Sequence, residues 1–399
     1  MRKFTYDDTL KCCFLAYISS AIINNFTPLL FVIFHDSLGI SVSKLGILIV
    51  LNFGVQMVVD LLGAQYADKL GYRKMVTLAL FMGALGLSAM AILPFLMPAY
   101  AGLLCSVVLY AIGSGLLEVV LSPIVEALPT ERKESAMTLL HSFYCWGQML
   151  CVLIATGFFV LFGTHNWRYL SLLLATVPFV TMLLFIRMPL CTLGNGESHS
   201  GSVIKLFANK LFVLFFIIML CSGASELAMS QWASYFAEEG LKVSKTVGDL
   251  LGPCFFAITM GIARVFYSKM AHKLKLARFI VVCSVVCIMS YLVASLCDNP
   301  ILGLGACGIC GFSVGIMWPG TLSLAAVSMP AKSTAMFAML AVGGDIGCSL
   351  GPELVAVGSS LFAIHGSAIK AGLLCAIVFP LVLILSILMV VKSVDNDKL

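Results

Sequence analysis

Glu118 is the first residue in this chain whose type and position could do chemistry. It stands inside a long apolar run, with Gly113 and Gly115 before it and Pro123 after it. A charge near the centre of a bilayer costs about 2.5–3.5 kcal/mol on insertion scales, so a carboxyl kept there faces an interior cavity and carries function, or is tied to a neighbouring helix. In the first case it can bind and release a proton. His141 lies on the next apolar run and could share that proton or donate to a substrate hydroxyl; a neutral imidazole bonded within a helix interface is the alternative. Glu226 and Arg264 have opposite sign on adjacent runs, which suits either a pair made in one state of a moving protein or a permanent buried pair. Asp345 and Glu353 are eight residues apart, about two helical turns, and so share a face. Asp345 follows Gly343-Gly344, which permit close helix approach, and could be a second protonation site; Asp60 could serve a gate. Hydrogen bonds that only pack helices are the rival for both.

Trp146, Trp232 and Trp318 fall within apolar runs, whereas Trp167 stands near the end of one, as interfacial anchors do. A flat ring with an N–H suits the C–H faces and hydroxyls of a sugar, and equally a planar drug. Asn24, Asn25, Tyr144, Gln148, Gln231 and Tyr235 could add neutral hydrogen bonds to a bound solute, or bridge helices.

The elements that position these residues follow from composition. Of 399 residues, 61% are hydrophobic and 11% charged, against about 45–50% and about 25% in a soluble domain. Mean hydropathy is +1.06. One water-facing core cannot account for that excess, so the surplus faces lipid. Apolar runs long enough to cross a bilayer as helices recur near 11–34, 44–67, 74–95, 99–127, 135–162, 168–187, 209–236, 247–269, 277–296, 300–327, 333–361 and 368–392. These are spans 1 to 12, and the fold expected is an all-α membrane protein. The first run is full length and lacks a small-residue cleavage site, so it reads as a span and not a signal peptide.

Twelve spans return both termini to one side. Of the 24 basic residues, eighteen fall on that side, five on the other (Lys44, Arg168, Lys242, Lys245, Lys370), and Arg264 lies within a span. By the positive-inside rule both termini are cytoplasmic. The net charge of +5 is therefore a topology signal; no basic stripe interleaved with aromatics suggests nucleic acid. The 15 cysteines sit almost wholly within spans, without His or acidic neighbours at zinc spacing, and read as packing residues. No phosphate-binding glycine loop, His-Glu-x-x-His or nucleophile elbow is present, which sets aside ATP-driven pumping by this chain alone and a membrane-embedded enzyme.

The longest polar break, from Pro189 to about Ala208, divides the chain into a six-span half at 1–188, a linker at 189–208 and a second half at 209–399. The halves echo one another at an offset of about 200: Asp68-Lys69 through Arg73-Lys74 after span 2 matches Ser268-Lys269 through Lys273 after span 8, and Ser135-Ala136-Met137 matches Thr334-Ala335-Met336. Such a repeat places a binding site between pseudo-symmetric halves near mid-membrane.

The loop after span 2 resembles the signature of the major facilitator superfamily, Gly-x-x-x-Asp-Arg/Lys-x-Gly-x-Arg-Arg/Lys, in Asp68, Lys69, Gly71, Arg73 and Lys74; it departs at the first position, where Ala64 stands. Asp68 and Arg73 would then belong to a gate that breaks as the halves rock, with plain positive-inside anchoring as the alternative. Within the superfamily the chain is most similar to the fucose permease group of proton-coupled sugar symporters. Glu118 through Ser122-Pro123 resembles that group's Glu-x-x-x-Asn-Pro, and Leu139-Leu140-His141-Ser142-Phe143 its span 5 segment, in which a Gln takes the place of His141. Gly223-Ala224, Tyr235, Arg264, Trp318-Pro319 and Gly343-Gly344 match further. Where the group carries an acid in span 1, four residues before a Pro, this chain has Asn24 before Pro28, so a relay of two acids in the group's positions is absent.

The resemblance implies a monomer in a bacterial-type cytoplasmic (inner) membrane, driven by a proton gradient, without cofactor or metal. The expected function is secondary transport of a small polar solute, a sugar by resemblance, through symport. Glu118, His141 and Asp345 are the proton-coupling candidates. Asn24, Asn25, Glu118, His141, Tyr144, Trp146, Glu226, Gln231, Trp232 and Trp318 are the substrate-binding candidates, and Asp60, Asp68, Arg73 and Arg264 the gating ones. A proton-coupled exporter of drugs or metabolites is the alternative, and a non-transporting membrane receptor a lesser one.

Overall fold

A computed structural model of the chain describes residues 4–129, 133–190, 206–270, 275–329, 334–364 and 366–393, without the side chains of 63–69, 133–138, 268–270, 334–335 and 338. The proposed linker segment at Asn195–Gly201 and the side chains of Asp68 and Lys69 lie outside the described residues. What is described is almost entirely helical, apart from one isolated bridge between Ile364 and Ser367. Twelve helices are long and apolar enough to cross a membrane.

Several spans are less regular than their hydropathy suggests. Span 1 is Tyr6–Leu29 followed by Phe31–Leu38, opened by a capping box between Thr5 and Asp8. Span 7 is Lys210–Ser230, then Ala233–Tyr235 and a π-helical turn at Phe236–Gly240. Span 8 is Lys245–Asp249, a π turn at Leu250–Cys254 and Phe255–Met270. Span 10 breaks between Val314 and Met317, and span 12 between Cys375 and Val378. Proline accounts for three of these. Lacking an N–H, Pro319 cannot bond Gly315, nor Pro380 bond Ala376, nor Pro253 bond Asp249, and in each case the helix departs from its α ladder at or beside the carbonyl that the proline cannot reach. Proline alone is not sufficient, since Pro123, Pro178 and Pro352 sit in helices that continue. Nothing comparable explains the break at Gln231–Trp232.

The chain forms two compact units, Met1–Ile40 with Leu51–Gly196, and Ser41–Val50 with Glu197–Leu399. In the first, Phe14 of span 1 stacks on Phe143 of span 5, centroids 4.4 Å apart. One turn further along, Gly147 of span 5 meets span 1 so closely that a methyl there would lie 2.8 Å from the Ala21 Cβ. Arg73, at the start of span 3 (Tyr72–Leu96), donates to the carbonyls of Phe185, Ile186 and Met188 at 3.1, 2.8 and 2.6 Å. It therefore closes the C-terminus of span 6, where a cation is favoured. Of the expected gate pair, the side chain of Asp68 lies outside the described residues.

In the second unit, span 11 (Thr334–Leu361) lies against span 7 along a row of glycines. A methyl on Gly343 would press on Phe216, one on Gly347 would collide with the Leu220 carbonyl, and one on Gly351 with the Ala224 carbonyl. Both rows advance by four residues, one helical turn, so the backbones touch along their length.

Candidate functional site

Span 2 (Val42–Leu70) carries Asn52, Gln56 and Asp60 four residues apart, hence on one face. The first two converge on span 1. Asn24 Oδ1 accepts from Asn52 Nδ2 at 3.1 Å and from Gln56 Nε2 at 3.0 Å, while its Nδ2 donates to Ser114 Oγ of span 4 at 3.0 Å. Ser114 in turn bonds Ser20 at 2.9 Å. Asn24, Asn52, Gln56 and Ser114 are all buried. Asn24, expected as a substrate contact, is the hub that ties spans 1, 2 and 4, and its amide is engaged on both sides.

That tie sets the position of the acids. Gly115 of span 4 packs on the Gln56 backbone, where an added methyl would lie 3.1 Å from the Cα. Spans 2 and 4 run in the same direction, so the residues one turn on, Asp60 and Glu118, meet as well. Their carboxyl oxygens approach within 4.8 Å of each other, Asp60 half-buried and Glu118 exposed. Asp60, expected at a gate, therefore stands beside the leading proton-coupling candidate. Two carboxylates this close repel each other when both are ionised.

His141 of span 5 is exposed, and its Nδ1 bonds the Tyr17 hydroxyl of span 1 at 3.3 Å, the rings meeting edge to face. Asn25 Nδ2 donates to Ala21 O at 2.9 Å and to the Tyr144 hydroxyl at 3.3 Å, joining two of the expected substrate contacts to each other. Trp146 is half-buried on the same helix. Spans 1 and 5 thus carry Tyr17, Asn25, His141 and Tyr144 as a set of donors and acceptors.

In the second unit Glu226 and Arg264 do meet, 3.8 Å apart. Arg264 Nε also donates to the Gly315 carbonyl of span 10 at 3.4 Å, the one that Pro319 leaves without a helical donor. Trp232 is wholly buried; its Nε1 donates to the Pro352 carbonyl at 3.0 Å and its ring meets Tyr235 edge to face. The indole expected to receive a substrate is thus a bolt between spans 7 and 11. Trp318 is half-buried with its ring against Gly344, while Gln231 and Asp345 are buried.

Tyr17, Asn52 and Gln56 were not among the expected site residues. The polar spacing of 52, 56 and 60 in an apolar run was a readable signal for the last two; nothing in the sequence marked Tyr17.

The fold and this distribution of polar groups are those of a multi-pass membrane transporter. The sequence profile of the major facilitator superfamily matches residues 12–352, and the chain belongs to that superfamily. No curated protein sequence matches the chain. Among solved structures it is similar to a bacterial homologue of the human lysosomal transporter Spinster in an inward-facing, occupied conformation, with 13% identity, TM-score 0.80 and 98% of both chains covered. It is also similar to a D-xylose-proton symporter (14% identity, TM-score 0.75, 99% of both chains) and to the Escherichia coli fucose:proton symporter (15% identity, TM-score 0.66, 97% of this chain and 99% of that one). At such identities the likeness is one of fold.

Proposed function

We propose that the chain is a proton-coupled secondary transporter of a small neutral polyhydroxylated solute such as a sugar, and that Asp60 and Glu118 are its proton site. The observation that carries the reading is the approach of these two carboxyls within 4.8 Å on spans 2 and 4. Asp60 thereby fills the role left empty by Asn24, so that the pair of acids is drawn from spans 2 and 4 where the fucose permease group uses spans 1 and 4. Protonation removes the repulsion between them, and reionisation restores it, which gives a gradient something to act on. Tyr17, Asn25, His141 and Tyr144 offer donors and acceptors suited to hydroxyls. The symporter neighbours for fucose and xylose point the same way.

The reading includes two six-span halves joined through 189–208, cytoplasmic termini, residence in a bacterial-type inner membrane, and work as a monomer without cofactor. An exporter of planar drugs finds less support, because Trp232 is wholly buried with its N–H engaged within its own unit.

Proteoliposomes containing the purified chain and an internal pH dye, challenged with a panel of sugars and of cationic drugs, test the proposal. Sugar-induced acidification that disappears in both Glu118→Gln and Asp60→Asn is expected. Drug-induced proton exchange with no sugar response overturns the substrate class, and full activity in either variant removes that acid from the mechanism.

A further inference from the structure

Where span 7 turns into span 8, four polar side chains gather that the transport reading does not use. Lys245 Nζ lies 3.1 Å from Glu238 Oε1 and 3.1 Å from Asp249 Oδ2. Ser234 Oγ donates to Asp249 Oδ1 at 2.5 Å and lies 3.4 Å from Glu238 Oε1. Asp249 is wholly buried, and Glu238 and Lys245 are each 12% exposed. The backbone is shaped around the cluster. Gly248 packs on Ala237 and Gly252 on Ala233, close enough that an added methyl would lie 2.9 Å from the Ala237 Cβ and 3.1 Å from the Ala233 carbonyl oxygen. π turns at Phe236–Gly240 and Leu250–Cys254 carry both strands of this hairpin of helices. Turns of that kind are rare and recur at functional sites.

Two carboxylates share one ammonium, so the cluster is one charge short of balance, and geometry decides which acid is less well held. Ser234 has a single hydroxyl proton, and the 2.5 Å contact gives it to Asp249. Lys245 donates to Asp249 Oδ1 at 3.3 Å and lies 3.1 Å from its Oδ2, so its charge faces the whole of that carboxylate, whereas it meets Glu238 through one oxygen only. The charges that act on Glu238 are those of Lys245 and Asp249. Among the described residues the nearby cations other than Lys245 are engaged elsewhere: Lys242 pairs with Glu239 at 2.7 Å, and Lys370 of span 12 with Asp298 at 2.7 Å.

We propose that this cluster is an acid-released staple, in which Lys245 fastens span 8 to the end of span 7 while Glu238 is ionised and lets go when Glu238 takes a proton. Five crossings separate this turn from the C-terminal end of span 12, so the staple responds to the pH of the membrane face opposite the C-terminus. The Lys245–Glu238 hold is present at high pH and lost as pH falls, leaving the Ser234–Asp249 hydrogen bond as a remaining polar tie between the two spans. It is independent of the acids on spans 2 and 4 and of any solute.

Hydrogen–deuterium exchange on the full chain in lipid nanodiscs, corrected for the intrinsic pH dependence of amide exchange, tests it. Protection of residues 236–254 is expected to fall about tenfold between pH 8 and pH 5 while that of span 4 does not. In Glu238→Gln the segment should show the low protection at both pH values; Lys242→Gln should respond as the wild type does. A wild-type segment 236–254 whose protection changes no more than that of span 4 overturns the proposal, as does a full pH response retained in Glu238→Gln.

Discussion

The first unit handles its interior polar groups with neutral partners. Asn24, Asn52, Gln56, Ser114 and Ser20 form one amide and hydroxyl network, Thr27 bonds Tyr110 at 2.8 Å, and Asn25 bonds Tyr144. The second unit uses charge: Glu226 with Arg264, Glu238 and Asp249 with Lys245, and Asp298 with Lys370. The two strategies fail differently. A neutral bond in a membrane bundle is worth little singly, because its partners find others, whereas deleting one member of a buried ion pair strands a charge. Against that background the close carboxyls of Asp60 and Glu118 stand apart among the described residues of the first unit, which supports the proposal that they serve chemistry and not packing.

The contrast can be tested from its largest expected effect downwards. Asp60→Asn should lower proton-driven uptake about 100-fold while leaving solute counterflow, which needs no gradient, within a few-fold of wild type. Uptake that survives this change and fails in Asp345→Asn would move the proton site to the second unit. Arg264→Met should cost about 3–5 kcal/mol in reversible unfolding from lipid bicelles, and the double variant Arg264→Met/Glu226→Leu should recover most of it. Asn24→Leu should cost about 1–2 kcal/mol in the same assay, the network being spread over five side chains. Lys242→Gln, which breaks an exposed pair with Glu239, should change stability by about 0.5 kcal/mol or less. An Asn24 variant as costly as Arg264→Met would erase the distinction between the units.

Hydropathy made the twelve spans legible, because lipid exposure demands apolar surface irrespective of what the helix does inside. It could not register the π turns of spans 7 and 8 or the breaks in spans 10 and 12, since an apolar run has the same hydropathy bent or straight. Glu118 and the pair of Glu226 with Arg264 were visible as charges out of place. Their partners were harder to see: Asp60 faces Glu118 only because Gly115 lets two parallel spans touch, a contact between residues some sixty positions apart. The basic residues on the minority side show how a correct rule can hide a site. Counted for topology, Lys245 and Lys370 are merely exceptions, yet the structure places each against carboxylates, with Lys370 also donating to the Cys297 carbonyl at 3.0 Å. Arg168, counted with them, donates to the Ala91 carbonyl and covers the Phe95 ring.

The glycine row of span 11 inverts the usual logic of mutational scanning. Truncation to alanine normally asks what a side chain contributes. At Gly343, Gly347 and Gly351 there is nothing to remove, and alanine is the larger residue. A scan that reads tolerance as freedom would pass over these positions by design, although a single added carbon at Gly347 or Gly351 would strike the backbone of span 7. Along this seam the informative library is one of additions, and the seam itself obliges the two helices to travel as one piece.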